Sequence, residues 1–268
     1  MNLFKQFYVS LPSSIQGRIL ERMIKTGRVF QAPVFRMLLH SLQFFGGDLE
    51  ELRLAFTAPV NRNLSLIEIC SELGKRTSDR AATAEQCGNV DEARVLYHRA
   101  AIYYLVGDWY TSDPVEIKKN YSLMLPCYDR FRHLSTPPIE KVEIPFDIGS
   151  IFGYFRLPAV GKYPFPAIVI VQGNDEVKEF NARFENMALA RGLATLNIDP
   201  PGWGESGLSG NRFRSVDSYR KAMNHAVDFL QSRAEISPDA IGIFGVSFGG
   251  LLAPFAAGLE SRFAAVAG

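Results

Sequence analysis

Ser247 lies at the centre of Gly245-Val246-Ser247-Phe248-Gly249, directly after the apolar run Ile241-Gly242-Ile243-Phe244. A serine hydroxyl is a poor nucleophile by itself. Its chemistry needs a base to accept the proton and hydrogen-bond donors to hold the oxyanion formed on a carbonyl. The pentapeptide alone is weak evidence, because glycine and serine are common residues. Its setting strengthens it, since strand, sharp turn and helix together lift a serine above a sheet end, with small neighbours where the backbone is crowded. Ile241 to Val246 is suited to the strand, and Gly249-Gly250 followed by Leu251-Leu252-Ala253 is suited to the helix, with Pro254 in its early turns. Ser247 is therefore the candidate nucleophile.

Two oxyanion donors are expected. One is the backbone amide after the nucleophile, that of Phe248, and the other comes from a loop after an earlier strand. Val171-Gln172-Gly173-Asn174-Asp175 is that loop, with Gly173 allowing close backbone approach and Asn174 or Asp175 presenting the amide. A plain turn would use the same glycine. A rival chemistry lies in Gly202, Gly204 and Gly207, which satisfy a dinucleotide-binding G-x-G-x-x-G after a strand and would mark a nicotinamide-dependent oxidoreductase. That motif must open directly into a helix, whereas Leu208-Ser209-Gly210-Asn211 prolongs a loop. His40, His98, His133 and His225 all precede Ser247. His225 and Asp228 share one crossover helix and read as surface residues, and Lys178-Glu179, which could cap the helix that follows or line the pocket, reads first as that cap.

Several function classes are excluded by composition. With 29 basic and 28 acidic residues the 268-residue chain lacks the basic excess of a nucleic-acid binder. The first forty residues are locally basic, and Arg18, Arg22, Lys25, Arg28 and Arg36 alternate with apolar positions, as in a solvated or surface-binding amphipathic helix. Cys70, Cys87 and Cys127 have neither an even count nor metal-ligand spacing, so free thiols in a reducing, cytoplasmic setting are expected, with no metal and no cofactor. No stretch is apolar for long enough to insert stably in a membrane.

Two halves follow from periodicity. Residues 1–135 carry helical spacing interrupted at Gly46-Gly47, Ala58-Pro59, Gly88-Asn89 and Ser112-Asp113-Pro114, with a helical hairpin over Ala81 to Tyr104. After Ser135-Thr136-Pro137-Pro138, residues 136–268 show a hairpin over Lys141 to Phe146 and Ile151 to Leu157. Compact apolar runs follow at 167–171, 193–198, 241–246 and 263–267, separated by helical segments at 179–191, 217–233 and 251–259. The class is α/β with a mostly parallel sheet.

Taken together, Arg99 to Tyr104, the loop ending in Lys178-Glu179, Asp199 to Ser206 and the pentapeptide resemble the α/β-hydrolase superfamily. Within it they resemble the cap-bearing group of pseudooxynicotine hydrolases, fermentation-respiration-switch esterases and fungal polyketide-shortening pigment hydrolases. The resemblance covers about Glu72 to Gly268, and Pro200 and Trp203 stand where that group commonly has glycine and glutamine. It implies an amino-terminal helical cap domain over a serine hydrolase site that acts on a small carbonyl substrate. It also implies an acid and then a histidine on later strands. Neither follows Ser247 here, so the sheet is expected to be incomplete at its carboxyl-terminal edge and catalysis impaired. Phe263 to Ala267 would then be an exposed edge strand able to pair in a homodimer, and a non-catalytic binding role is the alternative.

Overall fold

In the computed structural model, residues 13–26, 33–61, 63–106, 113–147, 149–174 and 176–268 are described. Asp175, Arg28 and the break residue Ser112 lie outside them, as do the side chains of Leu20 and Arg36. The chain divides into two compact units, Met1–Leu134 and Ser135–Gly268.

Among its described residues the first unit is helical: α1 (Ser13–Lys25), α2 (Pro33–Phe45), α3 (Leu49–Thr57), α4 (Leu66–Gln86), α5 (Val90–Val106) and α6 (Pro114–His133). The ends of these helices are encoded locally. Asp48 caps α3 by accepting from the Glu50 and Glu51 amides, and Ser65 with Glu68 forms a capping box on α4. Asp113 caps α6, whose first residue is Pro114, where a missing amide hydrogen costs nothing. Gly88, at φ +80°, turns the chain from α4 into α5. These two helices form the expected hairpin through buried Ala81, Ala84, Ala93, Tyr97 and Ala100. Their approach is close enough that a Cβ on Gly74 would lie 3.0 Å from the Tyr104 ring. On α1, Ile24 is buried while Arg18, Arg22 and Lys25 are exposed, which gives that helix two faces. No helix among the described residues is long and apolar enough to cross a membrane. Cys70 and Cys127 are buried and Cys87 is exposed.

The second unit is a six-stranded sheet with helices between its later strands: β1 (Glu140–Pro145), β2 (Ser150–Arg156), β3 (Phe165–Val171), α7 (Ala182–Leu189), β4 (Ala194–Ile198), α8 (Gly204–Leu208), α9 (Val216–Gln231), β5 (Ile236–Gly245), α10 (Phe248–Leu259) and β6 (Phe263–Ala267). The strand order is β1-β2-β4-β3-β5-β6. β1 and β2 form the expected antiparallel hairpin and β2 pairs antiparallel with β4, while β4, β3, β5 and β6 run parallel. β3, β4 and the later part of β5 are apolar because both their faces are covered, whereas the equally apolar β6 is mostly exposed. Val169, Leu196 and Ile243 are essentially inaccessible, and α9 lays Tyr219, Ala222, Met223, Ala226, Val227 and Leu230 on the same core.

Two helices begin differently from the sequence expectation. The segment after Val177 opens as a 3-10 turn over Lys178–Asn181 before α7, and α10 starts at Phe248 rather than Leu251. Pro254 is thereby the seventh residue of α10, in its interior, where it leaves one carbonyl without its helical partner.

Sheet register positions the site. Val171 lies opposite Gly245 in the β3/β5 ladder, and Ile170 lies opposite Asn197 in the β3/β4 ladder. The loops leaving β3, β4 and β5 therefore emerge together at the carboxyl edge of the parallel strands, where α/β sheets hold their ligands.

Candidate active site

Ser247 is exposed at the junction of β5 and α10 with φ +53° and ψ −115°. It is the one non-glycine residue with positive φ among the described residues. Such a conformation costs about 1–3 kcal/mol and persists only where the surroundings dictate it. The surroundings here are backbone. A Cβ on Gly245 would lie 1.9 Å from the Gly249 carbonyl oxygen, and one on Gly249 would lie 2.6 Å from the carbonyl oxygens of Val171 and Gln172. Both glycines of the pentapeptide are thus required by contact. The Val246 amide donates to Val171 O at 3.1 Å, which fastens the turn to β3. Phe248 is the first residue of α10, so its amide belongs to the set that a helix leaves without an internal acceptor.

Of the three residues expected to bind substrate or oxyanion, Phe248 adjoins the serine in sequence and Gly173 adjoins it in space. A Cβ on Gly173 would lie 3.0 Å from Ser247 Cβ. The Gly173 amide donates to Glu176 Oε2 at 3.2 Å, so it is already engaged by its own loop. Asn174 is exposed beside it.

Trp203, read from sequence only as a departure from the family pattern, forms one wall of the site. Its indole Nε1 donates to Gly173 O at 3.0 Å. Its ring stacks on Phe248 with centroids 6.5 Å apart and meets Phe213 edge-on at 5.8 Å. The serine therefore sits beside an aromatic surface assembled from three separate segments.

Behind that surface is a buried cluster of charge. Lys178 and Glu179 are completely inaccessible, so the expected helix cap is replaced by an interior ion group. The Lys178 ammonium lies 2.8 Å from Asp199 Oδ2, 3.0 Å from Glu179 Oε1 and 3.1 Å from Glu205 Oε2, and 5.1 Å above the Tyr154 ring. An ammonium has three hydrogens, and each finds one carboxyl group. Lys141 lies 2.5 Å from the other Glu205 oxygen, and Tyr154 OH donates to Glu179 at 2.9 Å. Asp199 Oδ1 accepts from Gln172 Nε2 at 2.8 Å and from the Lys178 amide at 2.9 Å, and Oδ2 accepts from the Glu205 amide at 2.9 Å. Burial pushes the Glu179 carboxyl up from its ordinary value, and the Lys178 charge opposes that rise. Next to this group, buried Glu185 stands 3.6 Å from Arg156 Nη1, and burial pushes its carboxyl up to about 7.

The rival glycine motif has a packing explanation. Gly204, at φ +43°, would drive a Cβ to 2.2 Å from the Asp199 carboxylate, and a Cβ on Gly207 would lie 2.8 Å from the Gly202 carbonyl carbon. The helix that opens at Gly204 has five residues, and its Glu205 amide is taken by Asp199. His225 packs its ring against Phe146, and Asp228 pairs with Arg262 at 2.6 Å, so each has its own partner. Within the helical unit, His98 packs against Phe131 at 4.5 Å, and His133 Nδ1 lies 2.6 Å from Asp129 O. Among the described residues no group of three or more His, Cys, Asp or Glu is arranged to hold a metal ion.

No family model matches the chain. A solved structure of 2,6-dihydroxy-pseudo-oxynicotine hydrolase superposes with a TM-score of 0.75 and 27% identity over 84% of this chain and 62% of that one. The chain has the fold of the α/β-hydrolases and is similar in sequence to members of that group. AbyA5 matches the fold alone, with a TM-score of 0.55 and 21% identity over 72% of this chain and 53% of its own. In sequence, 2,6-dihydropseudooxynicotine hydrolase of Paenarthrobacter nicotinovorans is 34% identical over 148 residues, 55% of this chain and 39% of the relative. Esterase FrsA of Yersinia enterocolitica is 27% identical over 158 residues, 58% of this chain and 35% of the relative. The segments matched in sequence thus cover well under half the length of these curated relatives.

Two outcomes follow from the contacts. Gly245→Ala forces a methyl group into the Gly249 carbonyl and is expected to cost about 3 kcal/mol or more, read as a lowered denaturant midpoint. Glu185 binds its proton more tightly folded, at about 7, than at its ordinary value of 4.5, so its contribution to stability is full below pH 4.5 and declines as pH rises through 7. Glu185→Gln is expected to remove a decline of roughly 3 kcal/mol across that window, measured by urea unfolding at intervals between the two limits.

Proposed function

We propose that this chain carries the nucleophile half of a serine hydrolase that attacks an ester, an amide or a carbon–carbon bond beside a carbonyl. The observation that carries the reading is the strained, exposed Ser247 at φ +53° between β5 and α10, with Gly173 against it. In this reading Ser247 Oγ adds to the carbonyl carbon, and the oxyanion is held by the Phe248 amide and by an amide of the Gly173-Asn174 loop. Trp203, Phe248 and Phe213 form the wall against which the acyl part lies. The helical unit acts as the cap that selects the substrate, as in the expected domain division 1–135 and 136–268. An odd count of three cysteines without metal-ligand spacing supports a reducing, cytoplasmic setting.

The chain alone is an impaired catalyst in this proposal. Among the described residues no imidazole is hydrogen-bonded to Ser247, and a serine without its base loses several orders of magnitude in rate while oxyanion stabilisation remains. The expected result is slow p-nitrophenyl acetate cleavage that rises with added imidazole, and Ser247→Ala should abolish that rise. Cleavage that is indifferent to Ser247→Ala sinks the proposal.

A second reading, association without catalysis, is favoured by one observation. β6 is the outermost strand, four of its five residues are exposed, and none of them is charged. Such an edge pairs readily with a second copy. If it does, sedimentation will show a dimer that Val266→Pro converts to monomer; a chain that is monomeric at every concentration removes this reading.

A further inference from the structure

We propose that Lys178 and Asp199 are positioning residues of this site, which hold the loop after β3 and the loop after β4 so that Gly173 stays beside Ser247 and Trp203 stays against Phe248. The catalytic consequence rests on the reading of Ser247 as a nucleophile; the positioning itself rests on geometry alone. Asp199 Oδ1 accepts from Gln172 Nε2 and from the Lys178 amide, so both ends of the loop containing Gly173 close on one oxygen atom. Asp199 Oδ2 accepts from the Glu205 amide, so the loop containing Trp203 closes on the other oxygen of the same carboxylate. The Lys178 ammonium then joins the two loops, 2.8 Å from Asp199 Oδ2 and 3.1 Å from Glu205 Oε2. At the exposed side the loops meet once more, through Trp203 Nε1 and Gly173 O at 3.0 Å.

A plain stabilising ion pair would not need this arrangement. Lys178 and Asp199 are inaccessible, and both oxygens of the Asp199 carboxylate and two of the three carboxyl partners of the Lys178 ammonium tie together the segments that carry Gly173 and Trp203. Removing either charge alone strands the other in the interior, which is strongly destabilising and uninformative. The test therefore uses the charge-balanced pair Lys178→Met with Asp199→Asn in the full chain. Trp109→Phe makes Trp203 the single tryptophan.

In a variant that keeps its circular dichroism, Trp203 emission is expected to shift to the red and acrylamide quenching to rise. The imidazole-assisted, Ser247-dependent rate should fall about 100-fold in kcat with KM little changed, as for a misplaced reacting geometry. Should the double variant fail to fold, Glu205→Gln is read in the same way and is expected to move Trp203 in the same direction by less. Unaltered emission and quenching in whichever variant folds would overturn the proposal, as would a displaced Trp203 with an unchanged Ser247-dependent rate. If the parent chain shows no Ser247-dependent cleavage, the hydrolase reading fails, while the fluorescence still decides whether Lys178 and Asp199 hold the loops.

Discussion

One buried carboxylate, that of Asp199, organises the active edge of the sheet. Taking such a group out of water costs several kcal/mol, and the loss is offset only when its lone pairs are met by good donors. Here they are met by a glutamine amide, two backbone amides and an ammonium, all between 2.8 and 2.9 Å. Each donor belongs to one of two loops, so satisfying the carboxylate fixes both. The same requirement dictates Gly204, because any side chain there would occupy the space of the carboxylate itself.

The elbow imposes a second constraint, carried by backbone contact rather than by charge. Ser247 cannot relax out of its positive φ while Gly249 is pressed on the carbonyls of Val171 and Gln172 and Val246 is bonded to Val171. Val171 and Gln172 therefore serve both devices. Their carbonyls confine the helix start, and the Gln172 side chain reaches back to Asp199. Strain at the serine and charge behind it are thus mechanically linked through two consecutive residues at the end of β3.

Most of the scaffold was legible in the chain because it rests on local signals. Apolar runs at 167–171, 193–198 and 263–267 became strands at nearly those limits, β5 begins at Ile236, five residues before the expected 241, and the pentapeptide gave a strand-to-helix turn around Ser247. The misread residues are those whose meaning depends on distant partners. Lys178-Glu179 has the look of a helix cap, since charges at the start of a helix normally face water, and nothing nearby in sequence announces that Asp199 and Glu205 converge on it. The glycines at 202, 204 and 207 imitate a nucleotide fingerprint, yet their spacing follows from a loop that folds on itself and on Asp199. Trp203 gave one usable signal, as a bulky residue between two glycines in a loop at the sheet edge.

Charge balance in this interior has a further consequence. Four carboxyl groups, those of Asp199, Glu179, Glu205 and Glu185, share the cations of Lys178, Lys141 and Arg156. Burial raises both Glu179 and Glu185; the Lys178 charge opposes the rise at Glu179, and the Arg156 charge opposes it at Glu185. Each buried carboxyl is thus held against desolvation by the cation beside it. The Lys178 ammonium meets Glu179 from the same point at which it joins Asp199 and Glu205, so the charge behind the sheet and the loop carrying Trp203 depend on one cation.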